Sequence, residues 1–474
     1  MKKTIISIAV LALFMAPVFA QGESSKKEVV KDHITSHYKL YGFVRAYLAI
    51  DSRESKAGTN ELYYYAPLDR SLNPAGEDTN AHLNAKFSAI TSRVGLDISG
   101  YEAGKAKLGG KIEADFYAGL SGITGTATFR LRQAYTTLAW NDKGKGKYTV
   151  KIGQAWHPMA ADMPDVFDLE VGVPFGPFNR SPLAQIDMKW GDYVGVTAAA
   201  IWQMQYTSNG PEGAVANYMK YSCIPETYVG VNVTAGGFLL RSGVSSLVIK
   251  PRYKGNVMTT GINDGKAYTA KVSDKLEAFS PFLYLQYKKG IVSAKAKTVF
   301  AQSGEHMNLL GGYGISEKFS ALDEDGHYEY TPTMTSSTWA TVAVGKKYQG
   351  VLFGGYTKCL GTTRDLFSDY TDGGVSFTKT STCYLGKSVP ANIQQVWRVE
   401  PAFIVNLGKL QLGIELQVTS AQYANYFKFA TGKPAEGSSE PTMENYVSSR
   451  GLCDMSTAHW VTNHRVLGII KFSF

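Results

Sequence analysis

Beyond its first twenty residues this 474-residue chain has no long apolar run. Nothing approaches the roughly 18 consecutive apolar residues that a membrane-crossing helix needs, so a helical transporter is excluded. Charge is sparse, at 19% of residues, and the excess of 49 basic over 40 acidic residues is scattered along the chain. A nucleic-acid-binding protein clusters its basic residues on one segment or face, so nucleic acid is not an expected partner. There are only four cysteines, Cys223, Cys359, Cys383 and Cys453, and no CxxC spacing that would suggest zinc. The hydrolase, zinc-protease, P-loop and dinucleotide motifs GxSxG, HExxH, GxxxxGK and GxGxxG are missing, so neither an enzyme nor a cofactor is expected. His33 and His37 stand four apart with no third ligand nearby and read as part of a solvated leader, not a metal site.

What the chain has in quantity is glycine (48), tyrosine (29), threonine and valine, the composition of an all-β protein. It opens with Lys2 and Lys3, an apolar stretch from Ile5 to Phe14, and Val18-Phe19-Ala20. That order of charge, apolar core and small residues predicts a secretory signal peptide over 1–20, cut after Ala20. Residues 21–38 read as a polar periplasmic leader.

From Tyr38 the pattern has period two. Val44, Ala46, Leu48 and Ile50 share one face of the first segment, with Phe43, Arg45 and Tyr47 on the other. Ile112, Ala114 and Phe116 alternate with Lys111, Glu113 and Asp115 in the same way, as do Leu412, Ile414 and Leu416 with Gln411, Glu415 and Gln417. A soluble sandwich alternates too. These segments, however, are commonly 10–15 residues long, and very short connections alternate with long polar ones. Ordinary strands run about 5–6 residues, whereas a tilted membrane strand needs about 9–11. The reading is a transmembrane antiparallel β-barrel over 39–474 with sixteen strands, at 39–50, 86–99, 107–119, 128–140, 147–156, 182–190, 192–206, 226–236, 238–252, 276–288, 291–302, 337–346, 349–358, 394–407, 409–421 and 459–474. An even count puts both termini in the periplasm of a Gram-negative cell, with outer-membrane lipid around the wall. Closure leaves no backbone group unpaired in lipid, and a barrel of this size keeps an aqueous lumen. The terminal Phe474 on an alternating strand fits such a barrel. Trp140, Trp156, Trp190, Trp202, Trp339 and Trp397, near strand ends, are expected in the interfacial aromatic girdle. All four cysteines fall in extracellular positions, with Cys359–Cys383 and Cys223–Cys453 as candidate disulfides against the alternative of four free thiols.

The segment from Lys151, KIGQAWHPMAADMPDVFDLEVGVPFGPFNRSPLAQIDMKW, with the preceding Arg130-Leu131-Arg132-Gln133-Ala134-Tyr135 and Ser92-Arg93-Val94-Gly95, resembles the DcaP-like trimeric porins over roughly 86–190. The resemblance implies a homotrimeric channel whose third extracellular loop, here 157–181, folds into the lumen as a constriction. The short leader lacks the heptad run of members with an N-terminal coiled coil.

Loop 157–181 carries Asp162, Asp165, Asp168 and Glu170. Arg45, Arg93, Arg130 and Arg132 are expected to form the basic face of the eyelet opposite those acids, with Arg398 and Arg465 as second choices. Guanidinium suits carboxylate solutes because it stays charged and bonds in a bidentate fork. The competing role for these arginines is to pair with inward acids and stiffen the wall. The function read from the sequence is a porin passing small hydrophilic solutes, with anions as a candidate class. The alternative is a surface adhesin or glycan-binding barrel that offers the aromatic run Tyr63-Tyr64-Tyr65 in its first long loop.

Overall fold

The computed structural model describes residues 37–58, 63–117, 127–142, 146–169, 171–258, 267–318, 327–364, 366, 383–385, 392–426 and 453–474. Residues 1–36, where the signal peptide and most of the leader are expected, lie outside them. No helix among the described residues is long and apolar enough to cross a membrane.

Sixteen antiparallel staves close into a barrel. They are β1 (Tyr38–Asp51), a stave broken into β4 (Asn84–Ser88) and β5 (Arg93–Ala103), β6 (Ala106–Tyr117), β7 (Thr128–Asp142), β8 (Gly146–Trp156), β9 (Arg180–Trp190), β10 (Val194–Ile201), β11 (Glu226–Ala235), β12 (Phe238–Ile249), β15 (Leu276–Lys289), β16 (Val292–Gln302), β18 (Tyr328–Gly345), β19 (Tyr348–Thr362), β21 (Ile393–Leu407), β22 (Leu410–Tyr426) and β23 (Cys453–Ser473). β1 pairs with β23 from Phe43↔Ser473 to Asp51↔Arg465, which closes the ring. The remaining strands decorate the open end: the hairpin β2 (Ser55–Gly58) and β3 (Tyr63–Pro67), the hairpin β13 (Lys254–Met258) and β14 (Ala267–Lys271), and β17 (Gly312–Lys318) with β20 (Cys383–Leu385).

Alternation decides which way each stave faces. Along β23, Val461, Asn463, Arg465, Leu467 and Ile469 are buried inside, while Val466, Ile470 and Phe472 are 39–50% exposed outside. Val44 and Leu48 of β1 and Val229, Val231 and Val233 of β11 continue this outer apolar band. In water such a surface would aggregate; in lipid it is the solvated face. At the short-turn end, β11 passes to β12 through Gly236 and Gly237, both at positive φ (55° and 89°), the demand of a two-residue hairpin that matches strand twist.

Several strands depart from expectation at their ends, β10 and β18 among them. β10 stops at Ile201, because the chain turns inward there and buries Gln203 against Ser208. β18 begins at Tyr328, well before 337, because β17 rises beside it above the barrel. Pro332 reads as a strand breaker in sequence, yet it sits opposite Tyr313 in that pairing.

The aromatic girdle needs correcting at two positions. Trp190 and Trp202 are 45% exposed, but Trp339 is buried inside and stacks on Phe353, and Trp156 packs edge-on against Phe178 in the lumen. The disulfide expectation is also corrected. Cys223, Cys359, Cys383 and Cys453 are all free, in environments ranging from exposed to buried. Alkylation in denaturant without reductant should therefore add four labels per chain by mass.

Candidate functional site

Residues 157–179, between β8 and β9, run through the barrel interior. Met159, Ala160, Val173 and Phe175 have no solvent exposure at all. The segment starts with a 3-10 turn, Pro158–Ala160, whose Met159 amide donates to His157 Nδ1 at 3.1 Å. It is then fastened along one side of the wall. Asp162 meets Arg241 of β12 at 2.6 Å, Asp165 meets Lys295 of β16 at 2.5 Å, and Asp168 meets Arg398 of β21 at 3.5 Å. The buried ammonium of Lys297 donates to the carbonyls of Met159 (2.7 Å) and Asp162 (2.8 Å). The Phe167 amide donates to Glu415 at 2.8 Å, and the Tyr47 hydroxyl donates to the Phe167 carbonyl at 3.3 Å.

Glycines inside strands mark where the segment seats. A Cβ at Gly355 of β19 would lie 2.4 Å from the Phe175 ring, and one at Gly413 of β22 would lie 2.2 Å from the Phe167 ring. Mid-strand glycine commonly signals such a close approach. Gly355→Val should push Phe175 off the wall and lower the heat-modification temperature of the barrel on gels. Overpacking of this kind costs typically 1–3 kcal/mol.

The first extracellular loop also enters the barrel. Tyr64 and Tyr65 of β3 are buried, and the Tyr65 hydroxyl donates to the Asn308 carbonyl at 2.6 Å. Together, the two inserted segments leave a cavity of about 1080 Å³ against the wall of β1 to β8.

The predicted residues separate into three groups. Arg45, Arg93, Arg130 and Arg132 all line this cavity. Arg130 grips Asp115 in a bidentate pair (2.9 and 3.1 Å), and Arg132 spans Glu113 (2.8 Å) and Asp115 (2.7 Å). Arg93 lies 3.7 Å from Glu113. Arg45 donates to the Thr91 hydroxyl at 3.1 Å and lies over the Phe43 and Tyr47 rings. The side chains of Arg93 and Arg130 are 22% and 24% exposed, while those of Glu113 and Asp115 are 7% and 4% exposed. The carboxylates are thus less exposed than Arg93 and Arg130, with Asp115 still lining the cavity and Glu113 behind, and this ladder carries 4 − 2 = +2. Lys471, over the Phe43 ring, adds one more cation to the lining.

Arg398 and Arg465 form the second group and do not line the cavity; they are 0% and 2% exposed. Arg398 donates to Thr419 (2.8 Å), to the Tyr64 and Tyr65 carbonyls (3.3 and 3.1 Å) and to the Val173 carbonyl (3.4 Å). It clamps both inserted segments. Arg465 lies 3.6 Å from Asp51 and over the Tyr64 ring.

The loop acids are the third group. Asp162, Asp165 and Asp168 turn to the cations of the wall that carries the loop, not across the lumen to the arginine ladder. Asp165 and Asp168 still touch the cavity. Glu170 lies outside the described residues.

Sequence reasoning missed two polar clusters. His157 Nε2 lies 3.1 Å from Glu226 Oε1, His306 Nε2 lies 3.3 Å from Glu226 Oε2, and Ser245 donates to Glu226 at 2.5 Å, all buried. These residues come from four separate segments, so no spacing announces them. Burial alone would lower the affinity of His306 for a proton, but the Glu226 carboxylate raises its pKa above the ordinary value. A raised histidine stabilises the fold below its unfolded pKa, about 6.5, and that stability is lost as pH climbs through the folded value. The barrel should therefore resist heat better at pH 6 than at pH 9, and His306→Gln should flatten that difference in circular dichroism melts. In the second cluster, Asp168, Glu400 and Glu415 bring carboxylate oxygens within 4.8 Å of one another, a grouping able to hold a cation. The Arg398 guanidinium already reaches two of the three, at 3.5 and 3.3 Å.

Residues 16–156 match the profile of the DcaP outer membrane protein family. Over that stretch, less than a third of the chain, the protein is similar to the family. The match takes in the leader and β1, which the resemblance over 86–190 did not use, and it ends at Trp156, where the inserted loop begins. No curated protein matches by sequence. Among solved structures, the outer membrane channel DcaP of Acinetobacter baumannii aligns with a TM-score of 0.57 at 15% identity, covering 92% of this chain and 97% of that one. An anion-selective porin from Comamonas acidovorans aligns at 0.49 with 12% identity, covering 92% and 99%. OmpF of Salmonella typhi aligns at 0.47 with 10% identity, covering 92% and 97%. At 15% identity the first of these speaks to the fold alone.

Proposed function

We propose that this barrel is a DcaP-like passive diffusion channel for small hydrophilic solutes that favours anions, with residues 157–179 as its constriction. The carrying observation is the placement of charge around the cavity. Four guanidiniums line it against one ladder carboxylate, Asp115, with Glu113 behind, while the loop acids are met by Arg241, Lys295 and Arg398. Fixed charge at a narrow point sets which ions enter, and low-dielectric walls focus its field. The homotrimer follows from the family resemblance and is part of the same reading. The adhesin alternative loses its aromatic platform, since Tyr64 and Tyr65 are buried within the barrel.

The test is single-channel current in a planar bilayer under a KCl gradient. Openings in groups of three with a reversal potential of anion-selective sign are expected. A cation-selective sign would overturn the anion preference, and a folded barrel that passes no current would overturn the channel.

A further inference from the structure

The cavity has two unlike faces. Across from the arginine ladder, the loop presents Met163, Val166, Phe167, Leu169 and Val171, all partly exposed. The arrangement has a local cause. Asp162, Asp165 and Asp168 recur every third residue and turn to the wall, and the apolar residue after each one, Met163, Val166 and Leu169, recurs in step and looks into the cavity. The side of the loop that a solute meets is thus largely apolar although its sequence is acidic, with the Asp165 carboxylate, paired to Lys295, beside the apolar residues. A solute crossing here has guanidiniums on one flank and methyl and methylene groups on the other.

We infer that the preferred solutes are amphiphilic anions: a single carboxylate carrying an alkyl or aryl body of several carbons, in preference to a hydroxylated acid of the same charge. This rests on the reading of the barrel as an anion-favouring channel. The carboxylate meets Arg45 and Arg93, neither of which is held in a bidentate carboxylate pair of the kind that holds Arg130. The apolar body lies against Met163, Val166 and Leu169 and leaves water there, which a hydroxylated body cannot do without losing hydrogen bonds.

Hexanoate and gluconate test this, since each has one carboxylate and the same carbon count but opposite bodies. Each is titrated against the chloride current of the full-length barrel in a planar bilayer. Hexanoate should block at a concentration roughly tenfold below gluconate, the scale expected for removing a few methylenes from water. Met163→Gln and Val166→Thr, both close in volume to the native residues, should each narrow that gap. Equal blocking constants with an anion-selective current intact would overturn this inference and leave the channel standing. A gap that persists undiminished in both variants would overturn its assignment to the loop face. Absence of anion-selective current would overturn the underlying reading instead.

Discussion

Arg398→Ala should destabilise the barrel by about 3–5 kcal/mol, the range for breaking a buried ion pair from one side. The guanidinium is fully buried and touches Asp168 and Glu400, so its removal strands carboxylates that water cannot reach. It also removes the donor shared by the Tyr64 and Tyr65 carbonyls of the first loop and the Val173 carbonyl of the segment between β8 and β9. Both inserted segments lose a common anchor. Two readouts should move together: the heat-modification temperature falls, and single-channel conductance rises with added current noise. A variant as stable and as quiet as the native protein would show that the clamp is redundant with Lys297, Lys295 and Arg241.

The second large effect is on selectivity. In Arg45→Gln/Arg93→Gln the ladder goes from +2 to 2 − 2 = 0, because Glu113 and Asp115 stay paired with Arg130 and Arg132. A unit charge about 4 Å from a passing ion is worth about 1 kcal/mol even in water, a factor of about five in its local concentration. The double variant should lose most of the anion preference, read as a reversal potential shifted toward zero or past it, with conductance largely kept. Higher salt should shrink the native preference as well, since these charges face an aqueous lumen. A reversal potential unchanged in the double variant would place the selectivity elsewhere in the barrel.

The number of staves, their order, the end on which each connection lies and the outward apolar band were all legible in the sequence. Those features depend on local signals. Period-two alternation fixes which face of a strand meets lipid, and glycine turns such as Gly236-Gly237 fix where it reverses. Closure then follows, because unpaired strand edges are intolerable in lipid. Inwardness itself was legible too, which is why Arg45, Arg93, Arg130 and Arg132 all reach the same cavity.

What an inward side chain meets was decided only by the tertiary structure. Lipid-facing positions have one neighbour, the bilayer, so apolar character suffices to place them. Lumen-facing positions have neighbours from segments hundreds of residues away, and burial makes each polar group there depend on its partner. Thus Arg398 became a clamp because Tyr64 and Asp168 arrive beside it, and Trp156 and Trp339 left the girdle because inserted loops needed ring surfaces. In the same way the loop acids turned from the ladder because Arg241 and Lys295 stood nearer. Alternation could assign a residue to the lumen, but only the folded paths of the two inserted loops could settle whether it faces water, a solute or another side chain.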